Sequence, residues 1–201
     1  MYELWRAVFG NDLPVEVEIG PGTGTFILAG APRAPQINFF GIEHSHTRAA
    51  RLALEVAALG LRNVRVLAAD ATCIVSTIIP VASVAAYHIY FPDPWWKRRH
   101  HRRRLFTPAF GLALARTLMP GGRIHIATDV EDVFQLAVCT LLSCAEISID
   151  PAARSPRPHA TVFERKGVAR GAVIREATFV KGAPSSYASR AAPMTPAESP
   201  S

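Results

Sequence analysis

The feature that most constrains the fold is a regular alternation of short apolar runs and amphipathic stretches along residues 15–144. The runs have the length and the β-branched and aromatic residues of strands, and the stretches between them repeat apolar residues at helical spacing. Five strands are predicted, at Val15–Ile19, Asn38–Ile42, Val64–Ala68, Val84–Phe91 and Arg123–Ala127. Strands that alternate with helices form a parallel sheet with helices on both faces, so the pattern predicts a doubly wound α/β fold.

The helices and the end of the domain follow from local signals. Helices are predicted at His46–Leu59, Pro108–Leu118 and Val133–Cys144. Pro108 stands at the start of its helix, where a missing N–H has no cost, and Pro120-Gly121-Gly122 is predicted to turn the chain into the fifth strand. A last strand is predicted over Val173–Val180. Residues 182–201 are rich in Ala, Ser and Pro and are expected to be a disordered tail, which leaves a single domain over residues 1–181.

Acidic side chains stand at the carboxyl ends of four predicted strands, where open parallel sheets bind ligands. They are Glu18, Glu43, Asp70 and Asp93. Between the first two lies Gly20-Pro21-Gly22-Thr23-Gly24, whose glycines let the backbone approach a ligand closely. A dinucleotide loop would have a glycine where Thr25 stands, and Glu18 would repel a pyrophosphate. The same carboxylate suits a ligand that carries an ammonium and a sulfonium group, which indicates S-adenosylmethionine.

Two of these carboxylates are predicted to contact the nucleoside part of that ligand. Glu43 is placed to accept hydrogen bonds from the ribose diol, and Asp70 to accept one from the adenine amino group. A nicotinamide dinucleotide offers the same ribose contact and therefore remains the alternative ligand, although Thr25 and Glu18 argue against it.

The positive charge of the chain is concentrated in one short run. The formal net charge is +6, and residues 97–104 hold six of the 22 Lys and Arg, which leaves 16 basic and 16 acidic residues elsewhere. A single basic run favours contact with a nucleic acid, the alternative being a solvated basic face. The arginines predicted to contact RNA phosphates are Arg98, Arg99, Arg102, Arg103 and Arg104.

Other classes of protein are disfavoured by what the sequence lacks. No apolar run approaches the roughly 18 residues of a membrane span. Residues 1–6 lack the basic and apolar segments of a signal peptide, so a cytoplasmic location is expected. The cysteines are Cys73, Cys139 and Cys144. They form no C-x-x-C pair, and His44 and His46 have no further ligands nearby, so neither a disulfide scaffold nor a metal site is expected.

One segment after the fourth strand, YFPDPWWKRRH at Tyr90–His100, indicates a family. It resembles the F-P-D-P-W-x-K signature and basic stretch of the tRNA (guanine-N7-)-methyltransferases. Ala127–Asp129 resembles that family's A-T-D, and Thr161–Gly167 its T-x-F-E-x-x-G. The match extends in order from about Val15 to Val180. It implies a Rossmann-like class I methyltransferase with a mostly parallel seven-stranded sheet, which methylates N7 of a guanine in the variable loop of tRNA.

The resemblance also implies roles for individual residues. Asp93 would be the active-site residue, and four acids would contact or border S-adenosylmethionine: Glu18, Glu43, Asp70 and Asp93 itself. The residues implied to contact the substrate nucleotide are Lys97, Asp129, Thr161, Val162, Phe163 and Glu164. Guanine N7 has an exposed lone pair and needs no strong general base. Carboxylates would instead orient the base through its N1–H and amino group and stabilise the cationic product.

Two alternative functions remain open. One is a class I methyltransferase that acts on another RNA base or on a substrate other than RNA. The segment Pro92-Asp93-Pro94-Trp95 argues against it, because sites for exocyclic amines often carry N/D-P-P-Y/F instead. The other is a catalytically inactive RNA-binding relative, against which the acids at all the matched positions argue.

Overall fold

The computed structural model describes residues 3–95, 104–153, 155–156 and 171–182. Its strands are β1 Val15–Ile19, β2 Asn38–Glu43, β3 Val64–Ala68, β4 Val84–Tyr90, β5 Leu118–Thr128, β6 Ile147–Ile149 and β7 Arg175–Lys181. They form one sheet in the order β3-β2-β1-β4-β5-β7-β6. The pairs among the first five strands are parallel, and β7 is antiparallel to both of its neighbours. The predicted mostly parallel, seven-stranded α/β sheet is confirmed.

Helices cover both faces of this sheet. They are α1 Glu3–Phe9, α2 Thr25–Gly30, α3 His46–Ala58, α4 Ala71–Thr77, α5 Pro108–Thr117 and α6 Glu131–Leu142, with a short 3-10 turn at Ala31–Arg33. On one face, α2 and α3 pack Phe26 and Leu52 against residues such as Phe39. Helices α1, α4, α5 and α6 pack on the other face, in the larger apolar cluster. Successive strand residues point to opposite faces, so Glu16 and Glu18 lie on the α2–α3 face while Val17 lies on the other.

The predicted helices begin close to the expected residues because their caps are local. Thr107 accepts a hydrogen bond from the N–H of Phe110 at 3.2 Å, directly before Pro108. Ser45 caps α3 in the same way, by accepting from the N–H of Arg48 at 3.4 Å. Helix α6 begins at Glu131, two residues before the predicted start.

The start of β5 corrects the predicted turn at Pro120-Gly121-Gly122. The strand already pairs with β4 at Leu118 opposite Val84, and the register then shifts, so that the next pair is Ala86 opposite Arg123. The three residues therefore form a bulge inside the strand. A Cβ on Gly122 would lie 2.8 Å from the carbonyl oxygen of Met119, so the close approach at this bulge requires glycine.

A further correction concerns short elements near the end of the domain. Strand β6 has three residues, too few for a periodic signal, and was not predicted. Strand β7 begins at Arg175, two residues after the predicted start. At its end, Lys181 donates hydrogen bonds to the carbonyls of Ala115 at 2.6 Å and Leu118 at 3.1 Å. Of the predicted tail over residues 182–201, residues 183–201 lie outside the described residues.

Candidate cofactor and substrate site

The parallel strands bring the predicted acids to one edge of the sheet. Glu18 is the penultimate residue of β1 and Glu43 the last residue of β2. Asp70 follows β3 as the residue before α4, Asp93 follows β4, and Asp129 follows β5 directly. Because the carboxyl ends of parallel strands share an edge, these five residues lie along one edge of the sheet.

The glycine loop between β1 and α2 has the open backbone that the sequence predicts. Gly20, Gly22 and Gly24 all have positive φ, at 72°, 57° and 76°. A Cβ on Gly20 would meet nothing within 4 Å, and one on Gly22 only a backbone oxygen at 3.9 Å. A Cβ on Gly24 would lie 2.2 Å from Leu52. Gly20 and Gly22 therefore leave space for a ligand, whereas Gly24 serves the packing of α3.

The Glu43 carboxylate connects this loop to the start of α3. It is 2% exposed, and its Oε2 accepts a hydrogen bond from the N–H of Gly22 at 3.0 Å. Its Oε1 accepts from the N–H of Ser45 at 2.8 Å and from Arg48, through Nε at 3.1 Å and Nη2 at 2.9 Å. These partners fix the carboxylate at the edge of the space that the glycines leave open.

Glu18 is buried beside the same loop with an incomplete set of partners. The residue is 5% exposed, and its Oε2 has no hydrogen-bond partner within the described part of the chain. Burial, and to a smaller extent the charge of Glu43, raise the pKa of Glu18 to about 8, against a hydrogen bond from the Ile27 backbone that lowers it. A buried carboxyl oxygen without a donor is unusual in proteins, and a cationic ligand group would supply that donor.

Asp70 has a structural role that the sequence reasoning did not include. It caps α4, and its Oδ1 accepts hydrogen bonds from the N–H groups of Thr72 at 2.7 Å and Cys73 at 3.2 Å, and from the Thr72 hydroxyl. The Thr72 hydroxyl bond is the main cause that lowers the pKa of Asp70. All of these bonds go to Oδ1, so Oδ2 is the oxygen left for an adenine amino group.

The segment that carries Asp93 is held in a strained conformation. Phe91 and Trp95, on either side of Pro92-Asp93-Pro94, have φ of 50° and 46°. Such left-handed residues other than glycine cost about 1–3 kcal/mol each and are concentrated at functional sites. The N–H of Phe91 donates to the carbonyl of Ala127 on β5 at 2.8 Å. This anchor fixes the segment at the strand end while Asp93 itself remains exposed.

Beneath Asp93 lies a small cavity that Arg104 also lines. Its other walls include Phe106, Asp132 and Val133. The Nε of Arg104 is buried and has no hydrogen-bond partner among the described residues. Arg104, which is predicted to contact an RNA phosphate, is therefore half-buried next to the segment that carries Asp93.

The remaining predicted contacts lie outside the described residues. They are Lys97, Arg98, Arg99, Arg102, Arg103, Thr161, Val162, Phe163 and Glu164. Their roles toward the substrate nucleotide and the RNA phosphates stay predictions.

A buried polar network behind the site was not found from the sequence. His88 on β4 shares hydrogen bonds with Glu16 through Nε2 at 2.8 Å and with the Tyr90 hydroxyl through Nδ1 at 2.9 Å. The Tyr90 hydroxyl is also 3.2 Å from the Oγ of Ser155. The alternation of strand residues places Glu16, His88 and Tyr90 on one face of the sheet, and this is the only feature of the sequence that points to the network. Nothing in the sequence indicates that Ser155 belongs to it.

A second histidine extends this network across β5. His125 stacks on His88 with ring centres 5.2 Å apart, and its Nδ1 lies 3.0 Å from the Thr178 hydroxyl. Burial, with the nearby His88 as the next cause, lowers the pKa of His125 to about 3. Within the described ranges no group of three or more His, Cys, Asp or Glu side chains could hold a metal ion, and no helix has the length and apolar character to span a membrane.

Comparison with known proteins assigns this arrangement to a family. A family model described as "Putative methyltransferase" matches residues 12–177. The chain is 38% identical over 183 residues to a tRNA (guanine-N(7)-)-methyltransferase of Alcanivorax borkumensis, covering 89% of this chain and 77% of that protein. It is 42% identical over 138 residues to the protein of the same name in Rhodopirellula baltica, covering 66% of this chain and 51% of that protein.

The solved structures agree on the fold. The crystal structure of the 16S rRNA methyltransferase KamB superposes with a TM-score of 0.66 at 15% identity, over 89% of this chain and 93% of that one. This likeness confirms the predicted Rossmann-like class I methyltransferase fold. The family model and the sequence relatives confirm the family that the segment after β4 indicated. The chain belongs to the tRNA (guanine-N7-)-methyltransferase family.

Proposed function

We propose that this chain transfers the methyl group of S-adenosylmethionine to N7 of a guanine in the variable loop of tRNA, in the cytoplasm. One observation carries the proposal beyond family membership. The neighbouring strands β1 and β4 end in a buried carboxyl group without a full set of donors, Glu18, and an exposed carboxylate, Asp93. A buried acid that would hold a cationic group would thereby stand near a carboxylate that can receive a base.

The residues at the ends of β1, β2 and β3 fit the cofactor. Glu18 Oε2 would accept a hydrogen bond from the ammonium group, Glu43 from a ribose hydroxyl and Asp70 Oδ2 from the adenine amino group. The open backbone at Gly20 and Gly22 would lie against the ligand. When bound, S-adenosylmethionine supplies an electrophilic methyl group, which N7 takes with its lone pair, so that positive charge passes to the purine and no proton has to leave.

The protonation state of Glu18 is linked to the binding of the cofactor. Because its pKa is raised to about 8, most of the free protein carries Glu18 in the protonated form at neutral pH. The ammonium group of the cofactor favours the ionised form, so binding releases the proton. The buried position is unfavourable for the free protein and becomes favourable only with a cation beside it.

Asp93 orients the base and compensates its charge. A carboxylate that accepts hydrogen bonds from N1–H and the exocyclic amino group holds guanine with N7 exposed on the opposite side. The same negative charge stabilises the purine as it becomes cationic. Asp129, exposed at the end of the adjacent strand β5, is a second carboxylate for this purpose.

The contacts with tRNA are proposed for the segments next to Asp93 and after Ser155. Lys97 and residues 161–164 would contact the nucleotide, and the arginines of residues 98–104 would contact phosphates. The run begins four residues after Asp93, so a tRNA held by it would have its target base close to the carboxylate.

The test is methylation of bulk tRNA by the purified full chain. The RNA comes from a strain without 7-methylguanosine, the cofactor carries a labelled methyl group, and the product nucleosides are separated by mass spectrometry. We expect labelled 7-methylguanosine from the wild type and from Asp12→Asn, a control at an exposed acid near α1. Asp93→Asn should form almost none. A label on a different nucleoside would favour the alternative RNA base, and no label at all would refute the proposal.

A further inference from the structure

Arg48 occupies one side of the Glu43 carboxylate, the group proposed to hold the ribose. The guanidinium donates two hydrogen bonds to Oε1, at 3.1 and 2.9 Å, and the Ser45 N–H donates a third at 2.8 Å. The only donor to Oε2 among the described residues is the N–H of Gly22, at 3.0 Å. A carboxylate has about four lone-pair sites, so the capacity that remains for a ligand lies on Oε2.

We propose that Arg48 is a positioning residue for the cofactor, which holds the Glu43 carboxylate with Oε1 toward α3 and Oε2 toward the glycine loop. The inference rests on the proposed function, because it assigns the free side of Oε2 to a single ribose hydroxyl. An Arg side chain suits this task, because its Nε–H and Nη2–H both donate to Oε1 and, together with the Ser45 N–H, occupy that oxygen with donors from α3 and its cap.

The charges around Glu43 also support a positioning role for Arg48. Glu43 is 2% exposed and close enough to the buried Glu18 for its charge to raise the pKa of that group. Two acids thus share a poorly hydrated space, and Arg48 is the cation in direct contact with either of them among the described residues. The Arg48 side chain itself remains 59% exposed. It therefore supplies positive charge to a buried acid without losing most of its own hydration.

The test is a double-mutant cycle on ligand affinity, with the full chain and S-adenosylhomocysteine as the probe in calorimetry. Arg48→Gln should weaken binding by about 5- to 30-fold, the factor that corresponds to one or two kcal/mol. Glu43→Gln should weaken it at least as much. When Arg48→Gln is added to Glu43→Gln, the affinity should fall by less than about twofold more, because the carboxylate that Arg48 positions is already absent.

Two further variants separate positioning from a general effect of charge. Arg51→Gln removes the same charge from the next turn of α3, where no hydrogen bond or ion pair is recorded within the described residues, and should leave the affinity unchanged. Arg48→Lys retains the charge with one donor group in place of the fork and should recover part of the affinity. In steady-state assays, Arg48→Gln should raise KM for S-adenosylmethionine while kcat and KM for tRNA stay within about twofold.

The outcomes decide between the inference and the proposed function. Fully additive losses in the cycle, an equal loss in Arg51→Gln, or no loss in a folded Arg48→Gln would overturn the positioning role. Thermal unfolding of each variant shows whether it is folded. If the wild type binds no S-adenosylhomocysteine, the proposed function fails; if it binds but Arg48 has no effect, only the inference on Arg48 fails.

Discussion

The half of the site at the ends of β1 and β2 differs from the half at the ends of β4 and β5 in how far the protein itself buries and orients the acidic side chains. At the ends of β1 and β2, Glu18 and Glu43 are buried, and Glu43 is fixed by donors from the glycine loop and α3. At the ends of β4 and β5, Asp93 and Asp129 are exposed. The half proposed for the cofactor is thus organised before binding, whereas the half proposed for the substrate still faces water.

This difference follows from the size and charge of the two ligands. A small cofactor gains affinity from a rigid pocket, because little ordering remains to be done on binding. A tRNA brings its own surface and can cover the substrate half when it docks. Exposed carboxylates would repel that polyanion, and the adjacent run at residues 97–104 offsets the repulsion with six positive charges. The predictions that follow change one half of the site at a time.

The largest effect is expected from Asp93→Ala. The variant should lower kcat by a factor on the order of 10² to 10³, the loss typical for one preorganised electrostatic group. The affinity for S-adenosylhomocysteine and the melting temperature should remain close to wild type, because an exposed side chain contributes little to packing. Single-turnover assays at saturating cofactor, beside calorimetry, measure both halves. A folded variant with wild-type turnover would remove Asp93 from the mechanism.

The next effect concerns the pH dependence of cofactor affinity. Glu18 must be ionised to accept the ammonium group, and its pKa in the free protein is about 8. Affinity should therefore fall about 50-fold between pH 8 and pH 6, and the fall approaches tenfold per pH unit well below pH 8. Calorimetry across this range with Glu18→Gln as control separates the protein from the ligand's own amino group. An equal pH dependence in wild type and variant would exclude Glu18 as the titrating group.

The same group has the opposite effect on the stability of the free protein. Its pKa is 4.5 in the unfolded reference and about 8 in the folded chain, so the folded state holds the proton more tightly. Its contribution to stability is complete below pH 4.5 and is lost as the pH rises through 8. Glu18→Gln should therefore flatten the fall in melting temperature between pH 6 and pH 9 while it weakens ligand binding.

A smaller effect is expected from the basic run, and it should leave the cofactor half unchanged. Changing Arg102, Arg103 and Arg104 to Ser should reduce the slope of log K against log salt for tRNA by about 2–3, since each phosphate contact contributes roughly 0.7–0.9. Filter-binding assays across a salt series give this slope. The single change Arg104→Ser isolates the half-enclosed side chain beneath Asp93. Identical slopes in the wild type and the triple variant would exclude phosphate contacts.

The sequence predicts the frame of the molecule much better than its side-chain contacts. Strands β1 to β4 and helices α3 and α5 begin at the predicted residues, because apolar periodicity and caps such as Thr107 are local signals. Helices α1 and α2, strand β6 and the bulge at Gly122 are too short, or too dependent on a neighbouring strand, to leave a pattern.

In the site, topology alone places the acids, since a side chain at the end of a parallel strand must lie at that edge. Their partners could not be inferred in this way. The bonds of Glu43 to Arg48 and of Asp70 to Thr72 depend on rotamers. The contact between Tyr90 and Ser155 joins residues 65 positions apart, for which a single sequence offers no signal.

The smallest effect is predicted for Tyr90→Phe, which removes the hydroxyl between His88 and Ser155. Tyr90 is buried at the end of β4, and its hydroxyl lies 2.9 Å from His88 Nδ1 and 3.2 Å from Ser155 Oγ, which connects the network behind the cofactor half to residues 155–156. The chain continues from there to residues 161–164, which are proposed to contact the substrate nucleotide. Loss of the hydroxyl should reduce the free energy of unfolding by about 0.5–1.5 kcal/mol and raise KM for tRNA about threefold to fivefold.

Ser155→Ala tests whether those two consequences of Tyr90→Phe have separate origins. It removes the Ser155 hydroxyl and leaves the hydrogen bond between His88 and Tyr90 in place, so it should raise KM for tRNA as Tyr90→Phe does, with a smaller loss of stability. Affinity for S-adenosylhomocysteine should stay unchanged in both variants, because the hydrogen bonds that they remove join Tyr90 to His88 and to Ser155, and not to Glu18 or Glu43. If KM for tRNA moves in Tyr90→Phe alone, the hydroxyl acts through His88 and β4. If the affinity for S-adenosylhomocysteine falls as well, the two halves are coupled through the sheet and the cofactor half is not organised independently of the substrate half.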